Sequence, residues 1–83
     1  MKPLTQYGRM AEKHWREFRP KMVDDLEKTG ILHQMLLEAE EQTVSELDQI
    51  RRELILKGRT PQQAHDQAWE MVRERYIFLP PED

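Results

Sequence analysis

The sequence contains no cysteine, only three glycines in 83 residues, and no long apolar run. Without cysteine there is no disulfide framework, no thiolate nucleophile and no thiolate-ligated zinc; the pattern fits a reducing compartment, and a cytoplasmic location is the expectation. The glycines, Gly8, Gly30 and Gly58, are isolated from one another, which excludes a glycine-rich loop cradling phosphate. No stretch approaches the roughly 18 apolar residues of a spanning helix, and the opening "MKPLTQYGRM" lacks the apolar region of a signal peptide, so no membrane association is expected. Serine occurs once, as Ser45, with no histidine within a helical turn, so a Ser-His nucleophile has no local basis.

What is present is charge at helical spacing. Charged residues make up 35% of the chain and apolar ones 37%, a balance of amphipathic helices with solvated outer faces. The length allows one domain with one modest core. The charge is uneven: residues 1–21 hold six basic and two acidic side chains, the remainder seven basic and fourteen acidic. Such polarity either orients an anionic partner or draws one end of the fold to the other.

Four helices are expected. Tyr7, Met10, Ala11, His14, Trp15 and Phe18 form one apolar stripe, giving a helix over about 6–18. Arg19-Pro20 stops it and starts a second helix, about 20–29, with Met22, Val23 and Leu26 inward and Gly30 as its C-terminal cap. From 31 to 57 nothing breaks the pattern, and Leu32, Leu36, Ala39, Thr43, Leu47, Ile50 and Leu54 step by four or three along one long helix. Its outer faces offer Asp48 to Arg52 and Glu53 to Lys57 at i, i+4. Thr60, Pro61 and Gln63 then spell a capping box that opens a fourth helix, 61–76, with Ala64, His65, Ala68, Trp69, Val72 and Tyr76 on its buried side. The short 58–60 connection makes an αα-hairpin with a mismatch of lengths. The fold class is therefore all-α: a small four-helix orthogonal or bundle-like domain around one long central helix, with an extended C-terminal tail, 77–83.

That tail, "IFLPPED", brings three apolar side chains and a proline brake. Ile77, Phe78 and Leu79 either close the apolar end of the long helix or dock onto a second copy or another protein. The first is favoured; the second would make Leu47, Ile50, Leu54, Tyr76, Ile77, Phe78 and Leu79 an interface. Trp15 and Trp69 lie at the centres of their stripes and are expected in the core.

Little of the polar chemistry converges. His14, His33 and His65 lie on three different helices, and the residues three before them, Ala11, Gly30 and Gln62, do not make the Glu-x-x-His of a di-metal bundle. His14 and His65 read as core-edge side chains. Glu38, Glu40 and Glu41 point in different directions on a helix and read as solvated. No catalytic residue, metal, cofactor or small-molecule substrate is expected. Arg9, Lys13 and Arg16 share a face of the first helix, and with Arg19 they form a candidate phosphate-contacting stripe; the acidic side chains of the second and third helices argue against base readout, so at most weak, salt-sensitive DNA binding is expected. A protein partner or a homodimer is the main expectation.

The N-terminal half also carries a pattern: "YGRM", then "EFRP" ten residues after its start, then "LEKTGILHQMLLEAEEQ". It resembles the transposon-encoded TnpV family of small bacterial proteins over residues 6–43, most specifically at Tyr7-Gly8-Arg9-Met10, Arg19-Pro20 and Gly30. Members of that family often carry a further N-terminal extension. The resemblance implies a mobile-element accessory protein and supplies no enzymatic residue set.

Overall fold

Proline and glycine place the helix boundaries. The computed structural model describes residues 2–82, with α1 at Gln6–Phe18, α2 at Pro20–Lys28, α3 at Leu32–Leu56 and α4 at Pro61–Tyr76, and no strand among the described residues. The second and third helices are one or two residues shorter than the periodicity predicts. Gly30 (φ 75°) and Gly58 (φ 100°) each close a left-handed Schellman turn, in which Ile31 N–H donates to Leu26 O and Arg59 N–H to Leu54 O, both at 3.0 Å. Those turns consume the flanking residues. The capping box forms as spelled: Gln63 N–H donates to Thr60 Oγ1 at 3.2 Å, and Thr60 N–H to Gln63 Oε1 at 3.1 Å.

α3 is the axis of the molecule. At 25 residues it is roughly 38 Å long, against roughly 24 Å for the antiparallel α4. α4 covers the C-terminal part of α3, where Leu47, Ala68 and Val72 form one buried cluster, and α1 lies over the earlier part, where Ala11, Trp15, Leu36 and Ala39 form another with Val23 of α2. Tyr7 and Trp69 pack against both clusters and join them. Aromatic contacts run on from there: Tyr7 to Trp69 at 5.6 Å, Trp69 to Phe78 at 6.0 Å, and Phe78 to His14 at 5.1 Å between ring centroids. Thr43, fully buried in the stripe of α3, satisfies its hydroxyl by donating to Ala39 O at 2.8 Å.

The tail closes the chain's own core. Ile77 is completely buried, and Phe78 and Leu79 are half-buried against the same cluster. The tail also runs back along α1. His14 Nε2 meets Leu79 O at 2.8 Å, Arg19 donates to Pro80 O at 2.7 Å, and Glu82 N–H donates to Phe18 O at 2.9 Å. Trp15 Nε1–H is shared between the carbonyls of Tyr76 and Ile77, each at 3.2 Å.

Two expectations about charge need correction. Asp48 pairs with Arg52 at 3.0 Å and also with Arg51 at 3.1 Å, but Glu53 and Lys57 do not pair with each other; Lys57 sits in the tight turn at Gly58, outside the helix. The larger correction is Glu40. It is 3% exposed, and its Oε2 accepts from Thr5 N–H and Thr5 Oγ1, both at 2.8 Å, and from Gly8 N–H at 3.2 Å. Gly8 N–H is an orphan donor in the first turn of α1, whose own cap residue, Thr5, accepts no side-chain bond there. A carboxylate from mid-α3 thus caps α1, and the positive end of that helix offsets its desolvation. Glu82 does the same for α2, accepting from Lys21 N–H and Met22 N–H at 3.0 Å each, where Arg19 provides no cap.

Candidate functional site

Among the concavities of the described residues, one is walled mainly by apolar side chains from several helices and the tail. Between α2, the first half of α3, the end of α4 and the tail lies an open groove of about 720 Å³. Trp15 and Ala39, both buried, form its floor; Met22 and Leu26 of α2, Met35 of α3 and Leu79 of the tail form its walls. Glu38, Glu41, Gln42 and Arg75 stand on its rim. Methionine walls adapt their shape to an apolar guest, and an open apolar groove with a polar rim is how helical partners are commonly received.

The rim is acidic in net effect. Glu38 is exposed and forms no ion pair among the described residues, while Glu41 faces Lys2 only at 3.8 Å with both side chains well solvated. Arg75 is answered by Glu46 Oε1 at 3.3 Å. Glu46 Oε2 is buried without a hydrogen-bond partner among the described residues, and the Tyr76 phenol nearby is pushed above its ordinary pKa, first by burial and then by the Glu46 carboxylate.

The four cations of the candidate phosphate stripe divide. Arg9 and Lys13 are exposed and form no ion pair among the described residues. Arg16 is bound to Glu12 at 2.9 Å and Glu27 at 2.7 Å, and those two carboxylates hold its guanidinium pKa above the usual value, Glu12 first. Arg19 is held by the tail through Pro80 O. The structure therefore brings two of the four together as open cations, and engages the other two internally.

The candidate interface residues divide in a similar way. Leu47 and Ile77 are buried in the chain's own core, so their side chains are not on offer to a partner in this fold. Ile50, Leu54, Tyr76, Phe78 and Leu79 are half-buried, and of these Tyr76 and Leu79 reach the groove. The histidines make separate local contacts: His14 holds Leu79 O, His33 meets Lys2 O at 2.6 Å, and His65 flanks Tyr7 across a shallow depression. No cluster of three or more metal-ligating side chains occurs among the described residues, and no helix there is long and apolar enough to cross a membrane.

Sequence reasoning missed Glu40 although a signal was present. Leu36, Glu40, Thr43 and Leu47 keep the four-three-four step of the buried stripe, so Glu40 belongs to that face by spacing alone. The groove itself had no linear signal, because its walls come from α1, α2, α3, α4 and the tail. No family model, curated protein or solved structure matches the chain. The TnpV resemblance accordingly rests on the residues of the N-terminal segment.

Proposed function

We propose that this chain is a non-enzymatic helical interaction protein that self-associates, working in the cytoplasm in the mobile-element setting implied by its N-terminal resemblance. The observation that carries this reading is the uncovered groove over Trp15, an apolar concavity of the kind that takes a protein segment. Its shape context agrees. A compact 83-residue domain has a radius of gyration of about 12 Å and a chain of this mass exposes about 5,300 Å². This one has 14.3 Å and 5852 Å². The surplus accompanies the long α3, which outreaches its neighbours, and it supports the reading that a partner covers part of this surface.

Sedimentation of the full chain across the micromolar range tests the reading. Concentration-dependent assembly that is lost in Met35→Asp is the expected result; a monomer at every concentration would refute self-association. The second reading, accessory DNA binding, is favoured only by Arg9 and Lys13, since Arg16 and Arg19 are engaged within the chain. Anisotropy of labelled duplex DNA at two salt concentrations separates the two readings: affinity falling steeply with salt would move the assignment to phosphate contact.

A further inference from the structure

The hairpin between α3 and α4 ends in an apolar knob. Leu54, Ile55 and Leu56 are consecutive in the last turn of α3; Leu54 is half-buried, Ile55 is 40% exposed, and Leu56 is 88% exposed, the most open large apolar side chain among the described residues. Leu56, with Ile55 beside it, thus presents apolar surface at the loop tip that the chain's own packing leaves open. Lys57 and Arg59 flank it, both exposed and neither in an ion pair among the described residues. The groove described above is the opposite in each respect: concave where the tip is convex, and rimmed by Glu38 and Glu41 where the tip carries cations.

We propose that the occupant of the groove is the α3–α4 hairpin tip of a second copy of this chain, with Leu56 seated between Met22, Leu26 and Met35, and Lys57 and Arg59 against Glu38 and Glu41. The tip cannot fill its own groove, because the two lie toward opposite ends of α3: the groove is lined by residues 35–42 and the tip begins at 55. Tip and groove are different surfaces, so head-to-tail seating is open-ended and each copy added offers a new tip and a new groove; a series that stopped at a dimer would instead mean reciprocal seating about a two-fold axis. This inference rests on the self-association reading and specifies its geometry.

The test uses the full chain and four variants at exposed or half-exposed positions. Leu56→Asp removes the tip and leaves the groove; Met35→Asp spoils the groove and leaves the tip. Wild-type protein is expected to form a concentration-dependent ladder of species in sedimentation velocity. Each variant alone is expected to be monomeric, since burial of one leucine is worth roughly tenfold to a hundredfold in affinity and a carboxylate there costs more. Mixed one to one, the variants are expected to form a dimer and nothing larger, because only one intact tip and one intact groove remain per pair. Glu38→Lys should weaken wild-type assembly, and Lys57→Glu in a second chain should restore the pair on mixing. Assembly of Leu56→Asp equal to wild type would overturn the tip as occupant while leaving self-association standing. Two monomeric variants that fail to pair on mixing would overturn the head-to-tail arrangement. A wild-type chain that stays monomeric would overturn both readings.

Discussion

Replacing Glu40 by alanine should be among the most damaging single changes in this protein, although composition alone places the residue on a solvated face. The substitution leaves Gly8 N–H, buried against α3, without an acceptor, and it removes the anion at the N-terminus of α1. Loss of a helix cap costs about 1 kcal/mol, and stranding a buried donor costs about 1–3 kcal/mol. The two overlap in Gly8 N–H, so roughly 2–3 kcal/mol is the expected total. A chain of this size is stable by about 4–12 kcal/mol, and each kcal/mol moves the midpoint by about 4–8 °C. Thermal unfolding followed by circular dichroism at 222 nm should therefore show a drop of roughly 10–20 °C. Glu40→Gln keeps an acceptor oxygen of the same shape and should lose less than half as much. A Glu40→Ala chain within about 0.5 kcal/mol of wild type would refute the argument, because surface substitutions stay in that range.

Other perturbations follow from the same contacts. Gly8→Ala should destabilise by about 1–3 kcal/mol even though alanine is the better helix former, because its Cβ would stand 2.5 Å from Glu40 Oε2 and 2.9 Å from Leu4 Cδ2; urea midpoints decide the sign. Ile77→Ala should cost roughly 2–5 kcal/mol as a core truncation, and Glu82→Ala about 1 kcal/mol as a lost cap of α2, both read by chemical denaturation. Arg16→Ala should change stability by under about 1 kcal/mol, since both of its ion pairs are solvated. The raised pKa of Tyr76 gives a pH dependence with a definite sign: the unfolded chain gives up this phenol proton first, so stability falls as pH rises above the ordinary tyrosine value near 10. That part of the alkaline slope should vanish in Tyr76→Phe.

Local rules were sufficient for the helices. Pro20, Pro61, Gly30 and Gly58 act through their own backbone restrictions, and the Thr60–Gln63 box spans a single turn, so nothing distant was needed to place them. The stripe of α3 was equally readable, since side chains three and four apart share a face whatever the rest of the fold does. The order Leu36, Glu40, Thr43, Leu47 contained the burial of Glu40 as well; what misled was residue type, because a carboxylate is buried only when donors converge on it, and those donors belong to Thr5 and Gly8, more than thirty residues earlier.

Which groups cap which helices, and where the tail ends up, depended on assembly. Thr5 and Arg19 precede their helices in sequence, yet Glu40 and Glu82 supply the caps, because packing brings free carboxylates to those N-termini at 2.8–3.2 Å. The basic face is mixed: Arg16 meets Glu12 one turn back within α1, a local pair, whereas its contact with Glu27 and the hold of Pro80 O on Arg19 need the approach of α2 and the tail to α1. Helix positions and amphipathic faces follow from interactions within a few residues, which sequence encodes directly. The groove over Trp15, the caps and the division of the charges arise between segments tens of residues apart, and their geometry exists only once the chain has closed on itself.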